Sequence, residues 1–215
     1  MRIAGILAIW HDITPGYSLE FEKWHSIEHL AERVSVPGFV SGRRFMSIDG
    51  SEPECFTLYE ANHIKVFGSV EYLSRLNSPS DWTVKVQPNL TNFDRAAASV
   101  VLHLGAGHGG FVVTVQVPES SADNAEMQRL VLELYELSSV VAVTLAKSSP
   151  SISELPTAER ALRGQQNETE SAWIVLVEMF TTVDVAEVYE VLRGKFGSAE
   201  AAKTAVYRLS HTVMA

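Results

Sequence analysis

Cysteine is nearly absent. Cys55 stands alone among 215 residues, so no intrachain disulfide can form and nothing demands an oxidising compartment. Basic residues are also scarce, 17 against 26 acids, for a formal net charge of -9. A diffuse acidic excess argues against nucleic acid, which needs a basic face, and disfavours an anionic membrane as partner. No apolar run approaches the roughly 20 residues that cross a bilayer. The apolar stretch from Ile3 to Trp10 is followed by His11 and Asp12 rather than by a small-residue cleavage site, so it reads as a buried strand and the expected location is cytoplasmic. Phosphate-cradling loops are missing too. Gly105 to Gly110 lacks the Lys and Ser/Thr of a P-loop, and the chain has neither a dinucleotide fingerprint nor a Gly-x-Ser-x-Gly elbow. No cofactor and no resident metal are expected.

What remains is 46% hydrophobic and 20% charged, the composition of an ordinary globular protein with enough chain for a real core. The first half reads strand 2–10, helix 18–34, strand 39–48 ending at an Asp49-Gly50 turn, strand 55–61, a helix over 63–76 capped by Asn62, and strand 93–104. The second half repeats the order. Phe111, Val113, Val115 and Val117 alternate on one strand face, and Asp123 with Glu126 forms a capping box before Met127, Leu130, Val131 and Leu134. Strand 140–147, a polar loop 148–170, strand 172–180, a helix opened by Asp184 and Glu187, and strand 204–214 follow.

Two βαββαβ units, 1–104 and 111–215, joined by a Gly-rich linker 105–110, predict an α+β fold of two ferredoxin-like repeats. A lone four-stranded antiparallel sheet leaves one face uncovered. The two antiparallel sheets are therefore expected to pack face to face as an α+β barrel with a central cavity. Two copies of the chain could instead exchange faces as a homodimer.

One helix carries candidate chemistry. Phe21, Trp24, Ile27, Leu30, Ala31 and Val34 make its expected core side. His25 and His29 share a face, with Glu28 three residues after His25. A carboxylate beside an imidazole fixes its tautomer and raises its pKa, which prepares a general acid or base. The bland alternative is a solvated face that happens to hold two histidines; the matching helix of the second half, Glu126 to Leu137, has none. His25-x-x-Glu28-His29 also matches a zinc-protease pattern, but no motif supplies a third ligand. Catalytic roles are therefore assigned to His29, Glu28 and His25, with no metal.

The remaining candidates bind a small-molecule substrate. Arg43 and Arg44 point to opposite strand faces, and one of them would anchor an anionic group. Tyr59, with Cys55 and Thr57, faces the barrel interior if Phe56 and Leu58 pack on helices; its second-half counterparts are Val175 and Val177. Asp12 ends the first strand at the barrel mouth, beside His11. Trp82 and Arg95 lie in or after an irregular loop, as a lid or a cap on the core.

Glu20-Phe21 through Trp24, then Glu28 to Arg33, then Val36-Pro37-Gly38-Phe39, resemble the first helix and turn of EthD-like proteins of the dimeric α+β barrel superfamily. Ala31 stands where that family usually has proline. The resemblance spans about residues 6–95 and includes Gly42-Arg43-Arg44, Leu58-Tyr59-Glu60, Ser69 to Leu76 and Pro79 to Trp82. It implies a ferredoxin-like unit paired across its sheet. It says little about chemistry, because the superfamily includes monooxygenases, decarboxylases, dehydratases, isomerases, cyclases and haem enzymes. The residues point to a cofactor-independent isomerase, dehydratase or decarboxylase acting on a small apolar or aromatic substrate. The alternatives are a non-catalytic binding or assembly protein and a haem- or metal-binding monooxygenase-like protein.

Overall fold

The computed structural model describes residues 3–48, 50, 53–163, 172–197 and 202–215. Asp49 of the expected turn and the end of the expected 148–170 loop lie outside them. Strand β1 spans Gly5–Ile13, β2 Phe39–Ser47, β3 Cys55–Ala61 and β4 Leu90–Gly105; β5 spans Phe111–Pro118, β6 Val140–Ser148, β7 Ala172–Met179 and β8 Lys203–Met214. Between β1 and β2 runs a continuous helix: α1 (Ser18–Trp24), a π turn (His25–His29) and α2 (Leu30–Val34). A 3-10 turn (Ile64–Gly68), α3 (Val70–Leu76) and α4 (Asp81–Val86) separate β3 from β4. His63, not Asn62, caps the 3-10 turn by accepting from the Lys65 N–H. In the second half α5 (Asn124–Tyr135) and α8 (Val185–Phe196) are the long helices, and the expected polar loop folds in part as α6 (Pro150–Ser153) and α7 (Ala158–Leu162). The capping box at α5 is present, with Asp123 accepting from the Glu126 N–H and Glu126 returning the bond.

The strands close into one antiparallel barrel in the order β1-β3-β2-β8-β5-β7-β6-β4. Each half contributes a run of four, and the halves join edge to edge through β2–β8 and β4–β6. The barrel thus closes within one chain, and no open sheet edge is left for a partner copy to complete.

Both faces of this sheet are buried over most of β1, β3, β6 and β7, while the C-terminal ends of β4 and β8 reach the surface. The interior is filled by Ile6, Ala8, Trp10, Phe45, Phe56, Leu58, Ile174, Leu176 and Tyr207, so its middle is packed rather than hollow. The outer face packs under helices. In the second half Met127, Leu130, Val131 and Leu134 of α5 lie on Val175 and Val177. In the first half Leu30, Val34 and Tyr72 lie on Leu7, Tyr59 and Ala97. This reverses the expected facing of β3. Phe56 and Leu58 point into the barrel, and Tyr59 points out beneath the helices.

The segment 105–110 is anchored rather than loose. The Gly109 N–H donates to Glu178 Oε2 at 2.8 Å, and a Cβ on Gly109 would collide with the Met179 backbone. Gly109→Ala is therefore expected to cost about 1–3 kcal/mol, readable as a lower urea midpoint with an unchanged slope.

Candidate functional site

The first-half helix leaves α-geometry at the histidines. The Leu30 N–H donates to the carbonyl of His25, five residues back. A π turn of this kind holds one residue more than an α turn and often marks a functional site. It shifts the helix register. Ile27, expected in the core, is 63% exposed, while His25 and His29 both turn inward. Their ring centroids lie 5.6 Å apart. Trp24 packs on His29 at 4.1 Å, and Phe21 stands between His25 at 5.2 Å and His11 of β1 at 5.0 Å.

These rings line a cavity of about 50 Å³ between the outer face of the first-half sheet and its helices. Tyr59, Arg33, Arg95 and Arg163 line it as well. Several polar atoms there are buried without a hydrogen-bond partner: Nδ1 of His25 and of His29, the Tyr59 hydroxyl, Nη1 of Arg33 and Nε of Arg163. Native interiors seldom leave such atoms unpaired, so a concentration of them in one cavity marks a place for a ligand.

The electrostatics run opposite to the sequence expectation. Burial, then the charge of Arg44, drives the His25 pKa well below the usual imidazole value. Burial, then Arg33, does the same to His29. Burial lowers His11 to about 4. Glu28 does not correct this. It turns away from both imidazoles and accepts from the Ser80 hydroxyl at the start of α4. The three histidines are therefore neutral at physiological pH, and each can accept a proton.

The other expected site residues scatter. Arg95 reaches the cavity and donates to the Ser153 carbonyl at 2.7 Å. Arg44 lies under the helix, donating to the Glu22 carbonyl and to Ser210. Trp82 donates to Glu20 and stays outside the cavity. Arg43 points into the barrel at its far end, bonded twice to Glu178 and once to Glu60. Asp12 accepts from Asn92 and from the Glu54 N–H. It borders a second cavity of about 420 Å³ at the barrel mouth, lined also by Trp10, Asp94, Gln116, Lys203 and Tyr207. That cavity is the larger, but it holds no histidine.

His11, which the sequence offers only as a neighbour of Asp12 at the strand end, lines the cavity, as do Arg33, Glu159 and Arg163, which escape sequence reading. His11 sits beside the bulge that follows Trp10 in β1. Arg33 resembles an ordinary helix-end base. Glu159 and Arg163 come from the polar segment between β6 and β7. The two short helices of that segment, α6 and α7, cross onto the first half, where Glu159 binds Arg33 and Arg163 donates to Gln87.

The donor set and the space around it do not suit a larger group. His25 and His29 offer imidazole nitrogens, but pockets for drug-sized or cofactor-sized ligands run to about 300 Å³ and more. The second-half helix–sheet layer is filled with aliphatic side chains and Trp173 and contains no histidine. As folded here, neither layer fits a haem. Among the described residues, Glu60, His108 and Glu178 form the one cluster with metal-ligand spacing, and the Arg43 guanidinium already pairs with both of its carboxylates.

No protein-family model matches the chain, and no curated protein sequence matches it. Solved structures do. An anthrone oxidase-like protein is 12% identical with a TM-score of 0.60, covering 100% of this chain and 94% of its own. A mutant chlorite dismutase from Candidatus Nitrospira defluvii is 10% identical with a TM-score of 0.60, covering 98% and 92%. A protein from Fusobacterium nucleatum, described provisionally as a monooxygenase, is 11% identical with a TM-score of 0.58, covering 100% and 96%. The chain shares with these proteins an α+β fold, in which its eight strands close into one barrel within a single chain.

Proposed function

We propose that the chain is a histidine acid–base enzyme that takes a proton from a small, partly aromatic organic substrate, with His29 as the base and His25 beside it. The observation that carries this reading is the pair of neutral imidazoles, without a hydrogen-bond partner at Nδ1, in a cavity that also holds guanidinium nitrogens of Arg33 and Arg163 lacking a hydrogen bond. A neutral imidazole accepts the proton, and cationic donors stabilise the anion left behind. Tyr59 is a hydrogen-bond donor to the same anion. Returning the proton at another atom gives isomerisation, and loss of a leaving group gives dehydration. The likeness in fold to an anthrone oxidase-like protein favours one further outcome for the same carbanion. Capture by dioxygen turns a methylene and O₂ into a carbonyl and water, and it begins with the same proton transfer. The EthD-like resemblance of residues 6–95 and an origin of the halves by duplication belong to this proposal. The duplication is supported by the matching strand orders β4-β1-β3-β2 and β8-β5-β7-β6.

The test is exchange of substrate C–H for deuterium in D₂O, followed by NMR over a panel of aromatic carbon acids with and without dioxygen. His29→Gln is expected to slow exchange by about 10²–10⁴-fold, and Glu28→Gln to leave it nearly unchanged. Because the His29 pKa is depressed, the rate is expected to stay level from pH 8 to about 6 and to fall only in more acid solution. Equal exchange by wild type and His29→Gln would remove the assignment.

A further inference from the structure

The cavity in front of the histidines is rich in guanidinium groups. Arg33, Arg95, Arg160 and Arg163 line it, against one carboxylate, Glu159. That carboxylate is not native to the first half. It arrives on α7, whose helix packs on α3 and α4. The segment carrying it, 149–163, is held there by Ile152 on the first-half core, by Arg163 over the Phe93 ring and by a set of polar contacts. Ser153 Oγ accepts from the Ala97 N–H at 2.9 Å, Arg95 donates to the Ser153 carbonyl, and the Ala158 N–H donates to Asn77 Oδ1 at 3.0 Å.

Glu159 and Arg33 are nearly fully buried, at 2% and 1% exposure. Burial raises the Glu159 pKa in spite of the opposing guanidinium. Glu159 engages Nη2 of Arg33, while Nη1 has no hydrogen-bond partner and only a longer ion pair, 3.6 Å, to the part-exposed Glu32. A guanidinium takes a carboxylate best through two parallel N–H groups, so the internal pair uses half of what Arg33 offers. The walls around it are aromatic: Trp24, Phe67, Tyr72 and Phe93. At about 50 Å³ the cavity admits a few waters but no aromatic acid. A ligand of that kind must displace something, and the second-half segment is the part of the wall joined to the site by exchangeable polar bonds.

We propose that Arg33 is the anchor for a small aromatic anion, a carboxylate or a phenolate, and that Glu159 on the 149–163 segment occupies this anchor until the ligand takes its place. This rests on the acid–base reading above and names its substrate class. The exchange swaps one buried ion pair for another, so no uncompensated charge is left in the interior. The displaced Glu159 regains water. The segment then acts as a strap whose opening is coupled to the charge of the ligand.

Isothermal titration of the full chain with benzoate, and with benzamide as its neutral isostere, tests this. Glu159→Gln, which removes the competing charge, is expected to bind benzoate at least about tenfold more tightly than wild type, with benzamide unchanged. Arg33→Gln/Glu159→Gln, which removes the whole pair and leaves no lone buried charge, is expected to lose benzoate binding while keeping its thermal midpoint within a few degrees. Hydrogen exchange in 149–163 is expected to quicken when benzoate saturates the wild type. Equal benzoate affinity in wild type and Glu159→Gln, or equal affinity for benzoate and benzamide, would overturn the proposal. So would retained binding in the double variant. His29→Gln should still bind benzoate, so a failure of the proton-transfer reading and a failure of the anchor give different results.

Discussion

Arg43→Leu is expected to destabilise the protein by about 3–5 kcal/mol, because it strands two carboxylates at one end of the barrel. The Arg43 guanidinium donates to both Glu178 oxygens, at 2.8 and 2.9 Å, and to Glu60 at 3.1 Å, with 1% of its side chain exposed. Burial alone would raise the Glu178 pKa. Hydrogen bonds from His108 and Arg43 more than offset this and bring it down to about 2. Removing the guanidinium leaves that desolvated charge with a half-exposed histidine as its main partner. For a chain of this length the loss corresponds to a thermal midpoint lower by about 10 °C. Arg43→Leu/Glu60→Gln/Glu178→Leu is expected to recover most of it, since replacing a whole buried ionic group by apolar side chains is often neutral. A single variant that melts within a degree or two of wild type would show that water reaches this cluster. Arg43 lies on the opposite face of the sheet from the histidines, so any surviving fold should keep its proton-transfer activity at low temperature.

Acidification from pH 7.5 to 4.5 is expected to remove several kcal/mol of stability, chiefly through the buried histidines. His11, His25 and His29 all have folded pKa values below the unfolded value of 6.5, chiefly through burial. Below pH 6.5 the unfolded chain takes up protons that the folded chain refuses, so stability falls with pH and levels off only below the folded values. For His11, lowered to about 4, the full loss is about 3 kcal/mol, and His25 and His29 add in the same direction. His108 opposes this trend. Its hydrogen bond with Glu178 raises its pKa, so it contributes stability that is present at low pH and lost as pH rises through the folded value. One partly exposed group does not cancel three buried ones. Glu178 joins the loss only as pH drops below about 4.5 toward 2. Urea midpoints measured at half-unit pH intervals, in wild type and His25→Gln, test the assignment. The variant's curve should be flatter, and a level wild-type curve across this range would refute it.

The legible and illegible parts of this protein divide along physical lines. Local signals were readable. Asp123 and Glu126 announce α5, and strand 55–61 and helix 18–34 fall where their patterns put them. Facing was not readable in β3, because every residue from Cys55 to Ala61 is buried and a strand covered on both sides shows no alternation. Tyr59 was misassigned for that reason. The inward turn of His25 and His29, and the outward turn of Ile27, depend on one π turn that a 3.6-residue period does not anticipate. Glu28 looked like a partner for the imidazoles by spacing alone, yet a serine far along the chain takes its carboxylate. Arg33 and Glu159 meet from opposite halves, and no local pattern encodes such a pair.

The seam between β2 and β8 sets a schedule for synthesis. Ser41 pairs with Met214, and Ser47 with Tyr207, so strands from opposite ends of the chain must find each other. A nascent polypeptide on the ribosome can fold its first helices and four strands early. It must then hold the edge of β2 open, with its backbone groups unpaired, until the final strand emerges. Such long-range closure is slow. During that interval the half-made barrel is the species most exposed to misassembly and to chaperone capture.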